Sequence, residues 1–183
     1  MRHRLSSAAW LWLLLPLPAM ATPCTSSSPT TAEIISQGLG APSVPIERRR
    51  ELTDKLLCSA LAGNVESQEV AGLLYYAGPA RHGNVLPRDL SRARRLLTAA
   101  ANRGRRHAMH VLAELELLDG HAYEAALWTR VEHELHGSGH SPTNTLQRRI
   151  EAGVSPDQRL DRDVALKVQT IREAMLTDIT PSS

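Results

Sequence analysis

Three of the chain's eight histidines stand in the stretch EHELHGSGH, residues 132–140, together with two glutamates. The zinc-protease signature H-E-x-x-H works because two histidines four apart share one helix face, with a glutamate beside them to activate water. Here His133 and His136 are only three apart. Ligands at that spacing do occur on bundle helices, and His140 would supply a further nitrogen. The stretch therefore supports a zinc-binding or metalloenzyme hypothesis.

The glycines of the same stretch weigh against that hypothesis. Gly137 and Gly139 predict that the helix ends near His136, which leaves His140 in a loop where nothing fixes its geometry. Elsewhere, His107 and His110 fall on the polar side of a predicted helix, as solvated or packed histidines do. The spacing indicates no Ser-His-Asp or Cys-His arrangement. We therefore predict a protein that is not an enzyme, with no catalytic residue, cofactor or metal, and keep the zinc site as the alternative.

The first 21 residues, MRHRLSSAAWLWLLLPLPAMA, have the pattern of a secretory signal with cleavage after Ala21. A basic start precedes an apolar run, and small residues precede the cleavage point. The apolar run is short for a bilayer and is broken by Pro16 and Pro18, so we predict no membrane span. The expected location is periplasmic or secreted.

Residues 22–183 are enough for one domain with a real core. Without Arg2 and Arg4 the chain carries 19 basic and 19 acidic residues, so its charge gives no reason to expect nucleic acid as a partner. Two cysteines, Cys24 and Cys58, remain in an oxidising compartment. Either they bond to each other and pin the N-terminal segment to the domain, or they bond between chains.

The apolar residues recur at helical spacing from residue 46 almost to the end, which predicts an all-α fold. Residues 22–45, rich in Ser, Thr, Pro and Gly, are predicted to be a poorly ordered leader. The helical domain is expected over residues 46–178, and residues 179–183 form a tail. Helices are predicted at about 47–62, 66–77, 90–100, 106–118, 122–135, 142–153 and 156–177.

The last predicted helix has the most regular apolar stripe: Leu160, Val164, Val168, Ile171 and Met175 follow at steps of four, four, three and four. Such a helix either caps the exposed end of the fold or forms a homodimer interface. The sequence leaves both a monomer and a homodimer open.

The middle of the chain contains an approximate internal repeat of helical hairpins. Its markers are the following: Ala71-Gly72, Tyr75, Gly78, Val85, Asp89, Ala93, Ala100-Ala101 and Gly104. These residues, over about 58–131, resemble the Sel1-like repeat, a relative of the tetratricopeptide repeat. The resemblance implies a short α-hairpin solenoid of about two repeats with C-terminal capping helices. It also implies a protein-binding adaptor or scaffold, extending to an inhibitor or immunity-type partner of another envelope protein.

The second unit departs from the repeat pattern. Ala113 stands where glycine is usual, Glu116 replaces the tyrosine, and Glu132-His133 replaces the Ala-Ala pair. The loop at residues 79–86 is longer than the usual turn, and we expect it to project from one edge as a contact element.

Arginines cluster between residues 81 and 106, where Asp89 is the single acidic residue. The arginines predicted to bind a partner are Arg88, Arg92, Arg94, Arg95, Arg105 and Arg106. A basic face would suit an acidic protein or peptide partner. The alternative is a charged solvent face with no partner.

Overall fold

The computed structural model describes residues 24, 29–137, 146, 149–150, 153 and 158–179, and every regular element in them is helical. The predicted all-α class is confirmed for this part of the chain. The helices are α1 (Thr31–Ser36), α2 (Ile46–Leu61), α3 (Val65–Ala77), α4 (Leu90–Ala101), α5 (Arg106–Leu118), α6 (Ala122–His136) and α7 (Gln158–Ile179), with a 3-10 turn at Gly78–Ala80.

Local side chains begin the helices where the sequence indicates. Asn64 caps α3 by accepting a hydrogen bond from the backbone N–H of Ser67 at 2.8 Å. Asp89 caps α4 in the same way, accepting from the N–H of Arg92 at 2.9 Å. Each cap satisfies an amide that would otherwise lack a partner in the first turn. For this reason the predicted starts of these helices agree with the observed ones to within a residue.

The N-terminal segment differs from the predicted leader. Residues 31–36 form α1, which begins with a capping box between Thr30 and Glu33. Ile34 is fully buried, and the hydroxyl of Thr31 lies 2.7 Å from that of Ser67 on α3. The Ser- and Thr-rich composition of this segment does not predict a helix. The buried Ile34 and the capping box of Thr30 and Glu33 stabilise it. The expectation of a poorly ordered segment is therefore corrected for residues 29–45.

The helices pack chiefly on their neighbours in sequence, from α2 on α3 through α5 on α6, while α3 also contacts α5. The helices α3 and α4 pack closely against each other. A Cβ added to Gly72 would stand 2.7 Å from Cγ of Leu97, so only glycine fits at this crossing. Ala93 and Ala100 on α4 are also fully buried. Small residues therefore let these helices approach closely, as the sequence predicts.

The loop at residues 79–86 is tied down, in contrast to the projecting contact element that we expected. Gly83 has a φ of +83° and lies so close to the N-terminal segment that an added Cβ would stand 1.9 Å from the carbonyl oxygen of Gly40. Arg49 donates to the carbonyls of Gly83 and Val44 at 2.7 and 2.9 Å. Asn84 donates to the carbonyls of Leu74 and Gly78, both at 2.8 Å. These bonds fold the longer loop back onto the domain.

The C-terminal helix α7 packs on α6. Four residues of its predicted stripe are buried, namely Leu160, Val164, Val168 and Ile171, whereas Met175 is 38% exposed. Leu146 and Ile150, between α6 and α7, are buried in the same core. The predicted signal, most of the helix predicted over residues 142–153 and residues 180–183 of the predicted tail lie outside the described residues.

Candidate protein-binding site

Most of the predicted basic face is engaged within the protein. Arg94 pairs with Glu116 at 2.9 Å and also with Asp119. Arg105 pairs with Glu69, and Arg106 pairs with Glu132 at 3.0 Å. The acidic partners come from α3, α5, α6 and the end of α5, so each pair joins two helices. These arginines therefore act as links between helices.

Burial of the acidic partners explains why the arginines are needed. The side chains of Glu69, Glu116 and Glu132 are 8%, 10% and 4% exposed. A carboxylate removed from water is costly unless it is paired and hydrogen-bonded. These three glutamates and the arginines that pair with them therefore form one network of ion pairs between helices, and they do not form a surface of a single charge sign.

Arg88 and Arg95 differ from the other four arginines that were predicted to bind a partner. Both are exposed, and neither forms an ion pair with any residue in the described part of the chain. Arg95 lies on α4 beside a groove, whereas Arg88 lies in the loop before α4 and does not line it. Of the predicted partner-binding residues, Arg95 is therefore the one that combines a free charge with a concave surface.

The groove, which we call the α2–α4 groove, has a volume of about 570 Å³ and lies between α2 and α4 over α3. Its apolar wall comes from the following residues: Leu57, Ala60, Leu61 and Leu96. Leu61 is 81% exposed, so this part of the apolar wall is open to solvent. Arg92 and Arg95 provide its charged rim.

Tyr75 holds Arg92 in position at this rim. Its hydroxyl accepts a hydrogen bond from Nη1 of Arg92 at 3.2 Å, and the guanidinium carbon lies 5.5 Å from the ring centroid. The hydrogen bond to Tyr75 raises the pKa of Arg92 further above its already high value, so this residue stays charged. The site thus combines an apolar wall with Arg92, which is held by Tyr75 and pairs with Asp89 at 3.3 Å, and with Arg95, which has no ion-pair partner among the described residues. This arrangement suits a carboxylate next to an aliphatic side chain.

The histidines of the 132–140 stretch do not come together in the described residues. His133 is exposed, and Nε2 of His136 makes a 3.1 Å hydrogen bond to the carbonyl of Gly104. The helix ends at His136, as Gly137 predicts, and His140 lies outside the described residues. No group of three His, Cys, Asp or Glu side chains in the described part of the chain is placed to hold a metal ion.

A different histidine, His110, occupies the most unusual polar environment. Its Nδ1 lies 3.7 Å from Oε2 of Glu132, and its Nε2 lies 3.7 Å from Oε1 of Glu114. The nearby Glu132 carboxylate raises the pKa of His110 in spite of partial burial. Burial would raise the pKa of Glu132, but His110 and Arg106 together hold it below its usual value. The sequence predicts a solvated or packed His110, because its partner Glu132 lies 22 residues away on α6 and no local pattern links the two.

Cys24 and Cys58 form a disulfide that joins the N-terminal segment to α2. Of the two arrangements that the sequence leaves open, the structure has the intramolecular one. The bond closes a loop that contains α1, so it and the Thr31–Ser67 contact hold the same segment.

Comparisons of the chain with protein-family models, with curated protein sequences and with solved structures return no match. Within the described residues, no helix has the length and apolar character needed to cross a membrane.

Proposed function

We propose that this chain is a helical binding module that holds an acidic, partly aliphatic segment of another protein in the α2–α4 groove. It would act as an adaptor, scaffold or inhibitor by binding alone, without catalysis of its own. The resemblance to Sel1-like repeats supports this proposal, as does the packing of each helix on its neighbours in sequence. The proposal narrows the partner-binding residues to Arg92 and Arg95.

The observation that carries the proposal is the contrast between Arg95 and its neighbour Arg94. Arg94 pairs with two carboxylates, whereas Arg95 pairs with no carboxylate that the structure describes and borders an apolar groove. A charged side chain with no partner of its own can add a charge-assisted hydrogen bond to a ligand without first breaking one. The Tyr75–Arg92 contact adds a second donor that is already oriented, which lowers the entropy lost on binding.

We also propose that the protein works in the periplasm or outside the cell. The N-terminal sequence pattern supports export, and the disulfide between Cys24 and Cys58 suits an oxidising compartment.

Peptide display on the purified, oxidised protein tests the proposal. We expect the selected peptides to combine Asp or Glu with Leu, Ile or Val within two or three positions. The best peptide is then titrated against Arg95→Glu and against Arg88→Glu, which makes the same charge change outside the groove. We expect about a 10-fold or greater loss of affinity for Arg95→Glu, since reversal of a contacting charge costs more than 1.4 kcal/mol.

Two results would count against the proposal. One is a selection that yields basic peptides or no consensus. The other is an equal loss of affinity for Arg88→Glu and Arg95→Glu, which would indicate a general charge effect and no contact in the groove.

A further inference from the structure

A second groove, which we call the α6–α7 groove, runs along the other end of the helix stack with a volume of about 810 Å³. Val164 and Val168 form its floor and the exposed Ala165 lies beside them. Leu176, at 65% exposure, stands near one end. Among the described helices α7 has its main contact with α6, so the side of α7 that faces this groove has no described helix over it.

Charge is distributed along this side of α7 in a self-complementary way. Asp161 lines the groove near the start of the helix, and Arg172 lines it three turns later. Asp161 uses Oδ1 to accept a hydrogen bond from Arg130 at 2.6 Å and is 69% exposed. Arg172 is exposed and forms no ion pair with a residue that the structure describes. This side of α7 thus carries Asp161 near its start and Arg172 three turns later, with Glu173 beside Arg172, and α6 adds Arg130 and Glu134 to the same groove.

We propose that the occupant of the α6–α7 groove is a second copy of this chain, with the two α7 helices antiparallel across a two-fold axis. Two-fold symmetry requires that if one residue faces another, the reverse contact is also made. When Ala165 faces Val168 of the second copy, the same register places Asp161 opposite Arg172 and Val164 opposite Gln169. The small and apolar residues then meet at the axis, and an ion pair flanks them on each side.

The resulting interface consists of α6 and α7 from each copy, which is the arrangement of an antiparallel four-helix bundle. The helix α7 has 22 residues and is therefore about 33 Å long. The 15-residue helix α6 is about 22 Å long, so strips about 10 Å wide along the two helices give a face of roughly 550 Å², well below the roughly 800 Å² per partner of a standard stable interface. The dimer is accordingly expected to dissociate on the order of micromolar concentrations.

A heterologous peptide would fit this groove less specifically than a second copy. The α2–α4 groove has Arg95, which has no ion-pair partner in the described part of the chain. The α6–α7 groove carries charges of both signs, and Asp161 and Arg172 are spaced so that each faces the other when two α7 helices lie antiparallel. The proposal is independent of the proposed function, because the two grooves lie at opposite ends of the helix stack and share no residue.

Sedimentation equilibrium of the purified protein over a wide concentration series tests this inference. Arg172→Asp would bring two acids together at each end of the interface, and Asp161→Arg would bring two arginines together. We expect each single reversal to raise the dissociation constant by about 10-fold or more. The double variant with both reversals restores the opposite charges across the interface but leaves Arg130 beside the new arginine, so we expect its dissociation constant to fall at least about 3-fold below that of either single variant.

Arg162→Asp is the matched control, because Arg162 is an exposed arginine on α7 that does not line the groove. Ala165→Glu provides a second test that leaves Asp161 and Arg172 in place, since it puts two carboxylates near the axis and is expected to prevent association. Far-UV circular dichroism establishes that each variant keeps its helices. A protein that stays monomeric throughout the series would overturn the inference, as would a dimer that tolerates the single reversals or a double variant that fails to recover.

Discussion

His110 Nδ1 lies 3.7 Å from Oε2 of Glu132, across the contact between α5 and α6, and both atoms are buried without a hydrogen-bond partner among the described residues. The distance exceeds that of a hydrogen bond but leaves a strong attraction when His110 is protonated. Arg106, which binds the other oxygen of Glu132, and Glu114, which faces the second nitrogen of His110, complete the charged surroundings. Tyr76 from α3 donates to Glu114 at 3.2 Å.

The first prediction concerns the pH dependence of stability. The pKa of His110 is raised above 6.5 in the folded protein, so protonated His110 favours the folded state over the unfolded chain. Its contribution is fully present below pH 6.5 and is lost as the pH rises through the folded pKa. Urea denaturation between pH 5.5 and 8.5 should show a fall in the free energy of unfolding that His110→Gln lacks. His107→Gln, an exposed neighbour on the same helix, should keep the wild-type profile, and a parallel fall in all three proteins would contradict the assignment.

The second prediction contrasts two adjacent arginines. Arg94→Ala removes the partner of the buried Glu116 carboxylate and of Asp119, and we expect a loss of about 1–3 kcal/mol in the free energy of unfolding. Arg95→Ala removes no ion pair with a described residue and should change stability by less than about 0.5 kcal/mol. Chemical denaturation of both variants measures the difference. Equal stabilities would show that the Arg94 network is as weak as an ordinary surface ion pair.

The third prediction concerns the crossing of α3 and α4. Gly72→Ala should destabilise the protein by about 1 kcal/mol or more, because the added Cβ meets the side chain of Leu97. In a Leu97→Ala background the two nearest side-chain atoms are gone and the backbone N of residue 97 remains at 3.3 Å, so the same substitution should cost much less, and the higher helix propensity of alanine offsets part of the remainder. A thermodynamic cycle of the four proteins measures this difference. If Gly72→Ala has the same effect in both backgrounds, the close approach does not determine the need for glycine.

The fourth prediction concerns the disulfide. Cys24→Ser together with Cys58→Ser should lower the free energy of unfolding by about 2–4 kcal/mol, since the bond closes a loop over a sequence separation of 34 residues. Dithiothreitol should destabilise the wild-type protein by a similar amount and leave the double variant unchanged. Mass spectrometry first establishes that the bond is intact. If the reductant then leaves the free energy of unfolding of the wild-type protein unchanged, α1 is held by its other contacts alone.

The sequence by itself determined where most helices begin and end. Asn64 and Asp89 specify helix starts, and Gly78 ends α3, because each acts on the backbone within a few residues. It also specified the small residue Gly72 at a crossing and the buried stripe of α7. The capping box of Thr30 and Glu33 is likewise a local indication of α1 in the sequence, although the composition of residues 22–45 favours a segment without a helix.

Only the tertiary structure decided which charges are free. Arg94 and Arg95 are indistinguishable in sequence, yet one faces two carboxylates on the next helix and the other faces a groove. The partners of Arg105, Arg106 and His110 lie 36, 26 and 22 residues away, so no local pattern links them. Helix signals are local because a helix satisfies its own backbone. The pairing of side chains depends on how helices cross, and this is set by the packing of the whole core.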